Sequence, residues 1–253
     1  MKLTIVGCSG SFPGPDSAAS CYLLQAPWDG GTYALVVDLG NGALGALQRH
    51  VDLVDVGAVA LSHLHADHCL DLAPYHVVRR FHPRGPLPVL RVVGPAGTAS
   101  RVAHAAGVDE RAEGKTVFDF ATWQAGVPVA LGPFMVTPAR VTHPVETYAL
   151  RIEHDGKVLV YSGDTAPSSA LVELARDADL LLCEASFVEG ADNPPDIHLT
   201  GHEAGQHAHR ADVGLLVLTH VPPWHDTQQA LAEAALGYAG PIELAHPGAV
   251  YTV

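Results

Sequence analysis

The chain has 253 residues, 48% of them hydrophobic, and a formal net charge of −13 from 27 acidic and 14 basic side chains. This length and apolar content suffice for a sizeable core, in the range that a single layered α/β domain reaches. The acidic balance disfavours a broad nucleic-acid surface, because phosphates would be repelled, but not small anions held by bound cations.

Cys8, Cys21, Cys69 and Cys183 form no Cys-x-x-Cys pair and read as reduced, mostly buried thiols of an intracellular protein. Met1-Lys2 leads straight into a strand, without an apolar signal region, and no apolar run is long enough to span a bilayer. A cytoplasmic protein without membrane contact is therefore expected.

In chain order, residues 3–7 form a short apolar strand, and the Gly, Ser and Pro of 10–15 form a loop. Strands at 20–25 and 33–39 flank a turn at 27–31 and begin an antiparallel half-sheet. A helix follows at 43–50, then an apolar strand at 57–62. That strand ends in the run His63-Leu64-His65-Ala66-Asp67-His68. A tight turn into a helix projects His63 and His65 to one side, Asp67 and His68 to the other. Neutral imidazoles and a carboxylate are the ligands a borderline cation such as zinc takes, so the run reads as half of a two-metal site.

The helix at 70–80 is expected to stop after its first turns or to break at Pro74. Arg79, Arg80, His82 and Arg84 make the one dense basic patch, read either as a solvated turn or as a hold for substrate phosphate. A strand at 87–93 and a helix reaching Ala106 follow. The segment 107–133 is weakly patterned, with strand fragments at 116–120 and 127–131, and carries no assigned role.

The stretch 134–142 leads to His143, residues 148–153 alternate as a half-buried strand does, and a strand at 157–162 delivers Asp164. A helix at 170–176 and a buried strand at 179–184 come next. Thr200 reads as an N-cap with Glu203 completing a capping box. Within that helix His207 and His209 are expected at the surface and His202 at the rim of the site. The strand at 214–219 precedes His220, Asp226 or Thr227 caps a helix to Leu236, and strands at 242–245 and 249–253 are expected to close the second sheet. His246 is not counted as a ligand.

With its His-x-His-x-Asp-His run, its Gly-Asp-Thr at 163–165 and its strand-ending His220, the chain resembles the metallo-β-lactamase-fold hydrolases, in the branch of ribonuclease Z and related phosphodiesterases. The resemblance extends from Thr4 to the C-terminus. It implies an αββα sandwich, two mixed sheets flanked by helices, and with no linker to divide it the whole of 1–253 reads as one domain. It assigns one metal to His63, His65 and His143, a second to Asp67, His68 and His220, and makes Asp164 the bridge. Two divalent cations are implied, zinc by preference, although manganese and iron also suit His and Asp ligands. The loop at 10–15 falls at the rim of the site. Asp38, in Asp-Leu-Gly, is either a support for the ligand turn or a helix cap, and Glu184 orients a ligand or its loop. His198, in His-Leu-Thr, matches a histidine that reaches the scissile phosphate. Relatives are often dimers, so a homodimer is the implied assembly.

A water shared by two cations loses a proton near neutrality, which yields a nucleophile without a strong base. His198 favours phosphodiester cleavage, since a protonated imidazole can supply the leaving alkoxide. Asp67 and His198 are thus the expected catalytic residues, and the expected substrate is a small phosphodiester such as a cyclic nucleotide or a short nucleic-acid end. A thioesterase or lactonase of the glyoxalase II type uses the same metal set, and a metal-retaining sensor without turnover is a third reading. Only 21 positions separate His143 from Asp164. That is too few for the long arm with which ribonuclease Z grips transfer RNA, so transfer RNA is not the expected substrate.

Overall fold

The computed structural model describes residues 1–109 and 116–253; positions 110–115 of the unassigned 107–133 segment lie outside that description. Apolar alternation along the strands decides the architecture. In β1 (Lys2–Ser9) Leu3 and Ile5 face one way and Val6 the other. In β10 (Tyr148–His154) Tyr148, Leu150 and Ile152 face the same inner core while Ala149 turns outward. A strand with both faces apolar must be covered on both sides, and two such sheets stacked with helices outside satisfy that demand.

The first sheet runs β15-β1-β3-β4-β5-β6-β7, with β2 (Ala18–Ala19) beside β1. Its members are β3 (Cys21–Trp28), β4 (Gly31–Val37), β5 (Val56–Ala60), β6 (Leu90–Gly94), β7 (Phe118–Thr122) and β15 (Val250–Thr252). The second sheet runs β14-β13-β12-β11-β10-β9-β8. It comprises β8 (Val129–Leu131), β9 (Phe134–Arg140), β10, β11 (Lys157–Tyr161), β12 (Leu180–Glu184), β13 (Leu216–Thr219) and β14 (Ile242–Leu244). Each sheet is antiparallel on one side and parallel on the other. The helices α1 (Ala43–Leu47), α2 (Ala66–Cys69), α3 (Leu72–Arg80) and α4 (Thr98–Ala106) accompany the first sheet. The second is covered by α5 (Ser169–Leu174), α6 (Gly201–Ala211) and α7 (Thr227–Gly237). Two mixed sheets flanked by helices are the αββα sandwich expected above. Among the described residues no helix is long and apolar enough to cross a membrane.

Local chemistry explains most element ends. Asp29-Gly30 and Asp155-Gly156 both take left-handed backbone conformations, the two-residue hairpin turn whose twist matches its strands. The β10 and β11 hairpin is consequently short, with no arm between His143 and Asp164. The side chain of Thr200 accepts from Glu203 N–H while Glu203 returns a bond to the Thr200 backbone, so the capping box is formed. Asp226 is the cap of α7.

Two expectations about the elements fail. Helix α3 continues to Arg80 without a break, because Pro74 falls in its first turn, where a missing N–H leaves no helical bond unmade. The last strand does not close the second sheet. The chain turns at Gly248, whose N–H donates to the Ile5 carbonyl while the Ile5 N–H donates to the Ala249 carbonyl, and β15 pairs antiparallel with Lys2 to Thr4 of β1 in the first sheet.

Candidate metal centre

The candidate metal ligands and the supporting Asp38 and Glu184 lie at the carboxyl ends of strands, whereas His198 precedes the helix Gly201–Ala211. Asp38 follows β4, His63 to His68 follow β5, His143 follows β9, Asp164 follows β11, Glu184 ends β12 and His220 follows β13. Carboxyl ends of adjacent strands open onto one crevice, where ligands of open α/β sheets collect. Here the two sheets bring theirs together.

Two groups of donor atoms share Asp164: His63, His65, His143 and Asp164, and Asp67, His68, Asp164 and His220; Glu184, His198 and His220 form a third beside them. In the first, His63 Nε2 is 3.1 Å from His65 Nδ1 and 3.6 Å from Asp164 Oδ2, and His143 Nε2 is 3.3 Å from His65 Nδ1. In the second, His68 Nε2 and His220 Nε2 are 3.1 Å apart, and each lies 3.1–3.3 Å from Asp67 Oδ2. Asp164 Oδ1 faces the same two nitrogens at 3.3 and 3.5 Å. Tetrahedral ligands at zinc-like bond lengths stand about 3.3–3.6 Å apart, so this spacing matches a cation at the middle of each group. Asp164 turns one oxygen to each group, and Oδ1 is buried without a hydrogen bond. An orphaned buried carboxylate oxygen amid imidazole nitrogens is costly unless a cation meets it, and the clusters are thus compatible with a metal site.

Hydrogen bonds on the far side of four of the five rings fix which nitrogen faces inward. Ser62 donates its hydroxyl proton to Asp38 Oδ2 at 2.7 Å, so its oxygen accepts from His63 Nδ1 at 3.0 Å. Ser186 donates to the His220 carbonyl and likewise accepts from His220 Nδ1, both at 2.8 Å. His143 Nδ1 donates to the carbonyl of Ile197 at 2.8 Å, and His68 Nδ1 to Asp38 Oδ2 at 2.7 Å. Four Nε2 lone pairs are left pointing at the centre, as metal ligation needs. Burial favours neutral imidazoles at His63, His65 and His143, whose pKa values are all lowered. At His68 burial acts in the same direction but is outweighed by Asp164 and Asp38, which raise it. Asp164 and Asp67 are held well below the usual carboxylate range, the cost of burial being overcome by the surrounding histidines.

Asp38 is a support and not a solvated cap. Fully buried and left-handed (φ 55°), it accepts from Ser62 N–H at 2.7 Å, Ser62 Oγ, His68 and Tyr161 Oη, the last at 2.9 Å. Gly40 is required beside it, since a Cβ there would lie 1.9 Å from the Asp67 carbonyl. Glu184 Oε1 accepts from Thr165 N–H at 2.7 Å and from His198 Nδ1 at 2.9 Å. The His198 ring stands 5.5 Å from His143 and 5.6 Å from His220, centroid to centroid, between the two groups. Burial lowers its pKa, yet Glu184 prevails and pushes it up to about 9.

Other candidates separate cleanly. Arg79 is buried, its guanidinium donating to the Pro88 carbonyl and to Tyr75 Oη, so it belongs to the packing of α3 and is withdrawn from the basic patch. His207 is buried too, contrary to the surface expectation: Nε2 accepts from Ser168 N–H at 3.0 Å and Nδ1 donates to the Glu203 carbonyl, tying α6 to the cap of α5. His209 and His246 are exposed, and His202 pairs with Gln206 on α6. Cys69 is buried in the outer core of the first sheet. Sequence reasoning missed Ser62, Tyr161, Ser186 and the Ile197 carbonyl. Only Ser62, adjacent to His63, left a signal that could have been read.

Comparison with known proteins places the chain in a family. A family model described as "Beta-lactamase superfamily domain" matches residues 33–221. The uncharacterized protein Rv1339 of Mycobacterium tuberculosis (strain ATCC 25618 / H37Rv) is 47% identical, over 96% of this chain and 88% of that protein. The probable metallo-hydrolase YhfI of Bacillus subtilis (strain 168) is 32% identical over 99% of each chain, and its crystal structure superposes with a TM-score of 0.86 over 99% of this chain and 98% of that one. A ribonuclease Z of Mycobacterium bovis (strain BCG / Pasteur 1173P2) is 31% identical over 96% of this chain and 95% of its own. Alike to YhfI in both sequence and structure from end to end, the chain belongs to the β-lactamase superfamily and is a metallo-hydrolase of the metallo-β-lactamase fold.

Proposed function

We propose that this metallo-hydrolase is a phosphodiesterase with two divalent ions, zinc by preference, acting on a small or accessible phosphodiester such as a cyclic nucleotide or a short nucleic-acid end. The observation that carries the reading is His198, a protonatable imidazole held against Glu184 and set between the two ligand groups. His63, His65 and His143 would hold one ion and Asp67, His68 and His220 the other, with Asp164 common to both groups; bound there, the ions would supply an activated water and neutralise charge on the phosphoryl oxygens. Asp67 keeps its carboxylate ionised beside His68 and His220. Glu184 holds the His198 proton at Nδ1, which leaves the Nε2 edge of the cation free to give a proton to a departing alkoxide. An alkoxide needs that proton, whereas the thiolate released from a thioester does not, so a thioesterase would have little use for the Glu184 and His198 pair. The 31% identity to a protein named ribonuclease Z supports phosphodiester chemistry. The short β10 and β11 hairpin and the charge of −13 argue against transfer RNA as its substrate.

The test is turnover by metal-analysed protein on a matched panel: an alkyl phosphodiester, cyclic nucleotides, a glutathione thioester and a lactone. Diester cleavage that vanishes with chelator and collapses in His198→Ala is expected. Turnover of thioester or lactone alone, or diester turnover indifferent to His198→Ala, refutes the reading.

A further inference from the structure

Two aromatic rings on the loops beside His220 lie outside the hydrophobic cores and remain partly open to water. Phe12 and Trp224 are 36% and 66% exposed, and their centroids lie 4.7 Å apart with planes inclined by 39°. Both are tied to the centre through the chain. Ser11, the residue before Phe12, directs its backbone N–H at Nε2 of His220 at 3.4 Å, and Trp224 is carried by the segment that leaves His220. By contrast Trp123 is buried, with its indole N–H on the Leu61 carbonyl.

Both loops are stiff. Gly10 N–H donates to the Val221 carbonyl, Phe12 N–H to the Gly10 carbonyl, and Gly14 N–H to the Ser17 carbonyl. Gly10 sits so close to the second loop that a Cβ there would lie 2.2 Å from the His220 carbonyl. Pro13 and Pro15 stiffen one side, Pro222 and Pro223 the other. Two large rings fixed in contact with each other and left open to water form a preorganised surface, with little entropy left to lose on binding.

We propose that Phe12 and Trp224 form a stacking shelf for the nucleobase of the substrate, which makes the substrate a nucleotide diester and not an alkyl one. The inference rests on the phosphodiesterase reading and names the substrate class of that site. Charge supplies the argument. A net charge of −13 disfavours holding the non-reacting part of a nucleotide through a broad basic surface, and bound cations would serve only the phosphate. Recognition beyond the phosphate must come from uncharged contacts, and stacking is such a contact, indifferent to base identity because every base has a π-face.

The experiment measures kcat/KM for a cyclic purine nucleotide relative to methyl 4-nitrophenyl phosphate, a diester without a base. In Trp224→Ala and Phe12→Ala this ratio is expected to fall by roughly 5- to 100-fold. Trp224→Phe should keep most of it, and Trp28→Ala, in the distant β3 and β4 turn, should leave it unchanged. In parallel, a nucleoside monophosphate should quench the tryptophan fluorescence of the metal-loaded protein, and the quench should be lost in Trp224→Phe while surviving in Trp28→Phe. A ratio unmoved by both alanine variants overturns the shelf even if diester turnover stands. If the protein cleaves no diester, the fluorescence titration decides the shelf independently. Conversion of a dimer to a monomer by Trp224→Ala, with no change in quenching by nucleotide, would make the pair a contact between copies and overturn the proposal.

Discussion

Replacing Glu184 by Gln removes one charge and almost no volume, and its consequence can be worked out from the His198 pair. The carboxylate raises His198 from 6.5 to about 9 against the opposing effect of burial, which holds the proton on the order of 3 kcal/mol more firmly. A histidine with a raised pKa is charged below that value and loses its proton as pH rises through it. Glu184→Gln is therefore expected to move the pH at which His198 loses its proton downward by about 2.5 pH units or more, since burial continues to lower it. Proton donation to an alkoxide should then drop by roughly 30-fold or more at pH 8 and recover as pH falls below about 6. Bound cations repel the imidazolium in both proteins, so the displacement between the two pH profiles reports Glu184. The assay is kcat against pH for two diesters on each protein, one with an alkoxide and one with a 4-nitrophenolate leaving group. The phenolate departs without a proton and should show a much smaller displacement. Equal displacement for both, with metal content unchanged, would show that Glu184 acts on the site's architecture through Thr165 and Ser186, and would refute His198 as proton donor.

Three further outcomes follow from particular atoms. Asp164→Asn replaces one of the oxygens shared by the two ligand groups with a donor, so metal content by mass spectrometry should fall to one ion or fewer per chain and diester turnover by at least about 100-fold; retention of two ions would exclude it as the bridge. Asp38→Asn weakens the hold on His68 and Ser62 and should cost about 10- to 100-fold in metal affinity, measured by chelator competition. An unchanged affinity would return Asp38 to a purely structural role. His207→Ala strands the Ser168 N–H in the packing between α5 and α6, for about 1–3 kcal/mol of stability read from the denaturant midpoint. Its metal content should be unaltered, and a loss of metal would contradict the separation of His207 from the centre.

Much of this was legible in one dimension. The His63 to His68 run is local, so its spacing alone announced a ligand turn, and the capping box at Thr200 and the Asp155-Gly156 hairpin are likewise decided by near neighbours. The alternation of Tyr148, Leu150 and Ile152 marked one apolar face of β10, the face that meets the inner core. His143, Asp164 and His220 were legible only by resemblance, because nothing in their own neighbourhoods marks them as ligands.

Tertiary structure decided whatever depended on a partner far along the chain. Arg79 and His207 look like solvent-facing polar residues in a helix, and only the Pro88 carbonyl and the Ser168 N–H show that they are buried and satisfied. Strand β15 could have joined either sheet, and the edge of β1 at Lys2 to Thr4, nearly the whole chain away, settled which. Ser186 and the Ile197 carbonyl fix the tautomers of His220 and His143 across loops that no spacing connects. The aromatic pair needs Phe12 and Trp224 brought together from opposite ends of the chain. Ligand identity is a property of side chains and can be written in a short motif; the direction in which each ligand's lone pair points depends on hydrogen bonds that close only when distant segments pack.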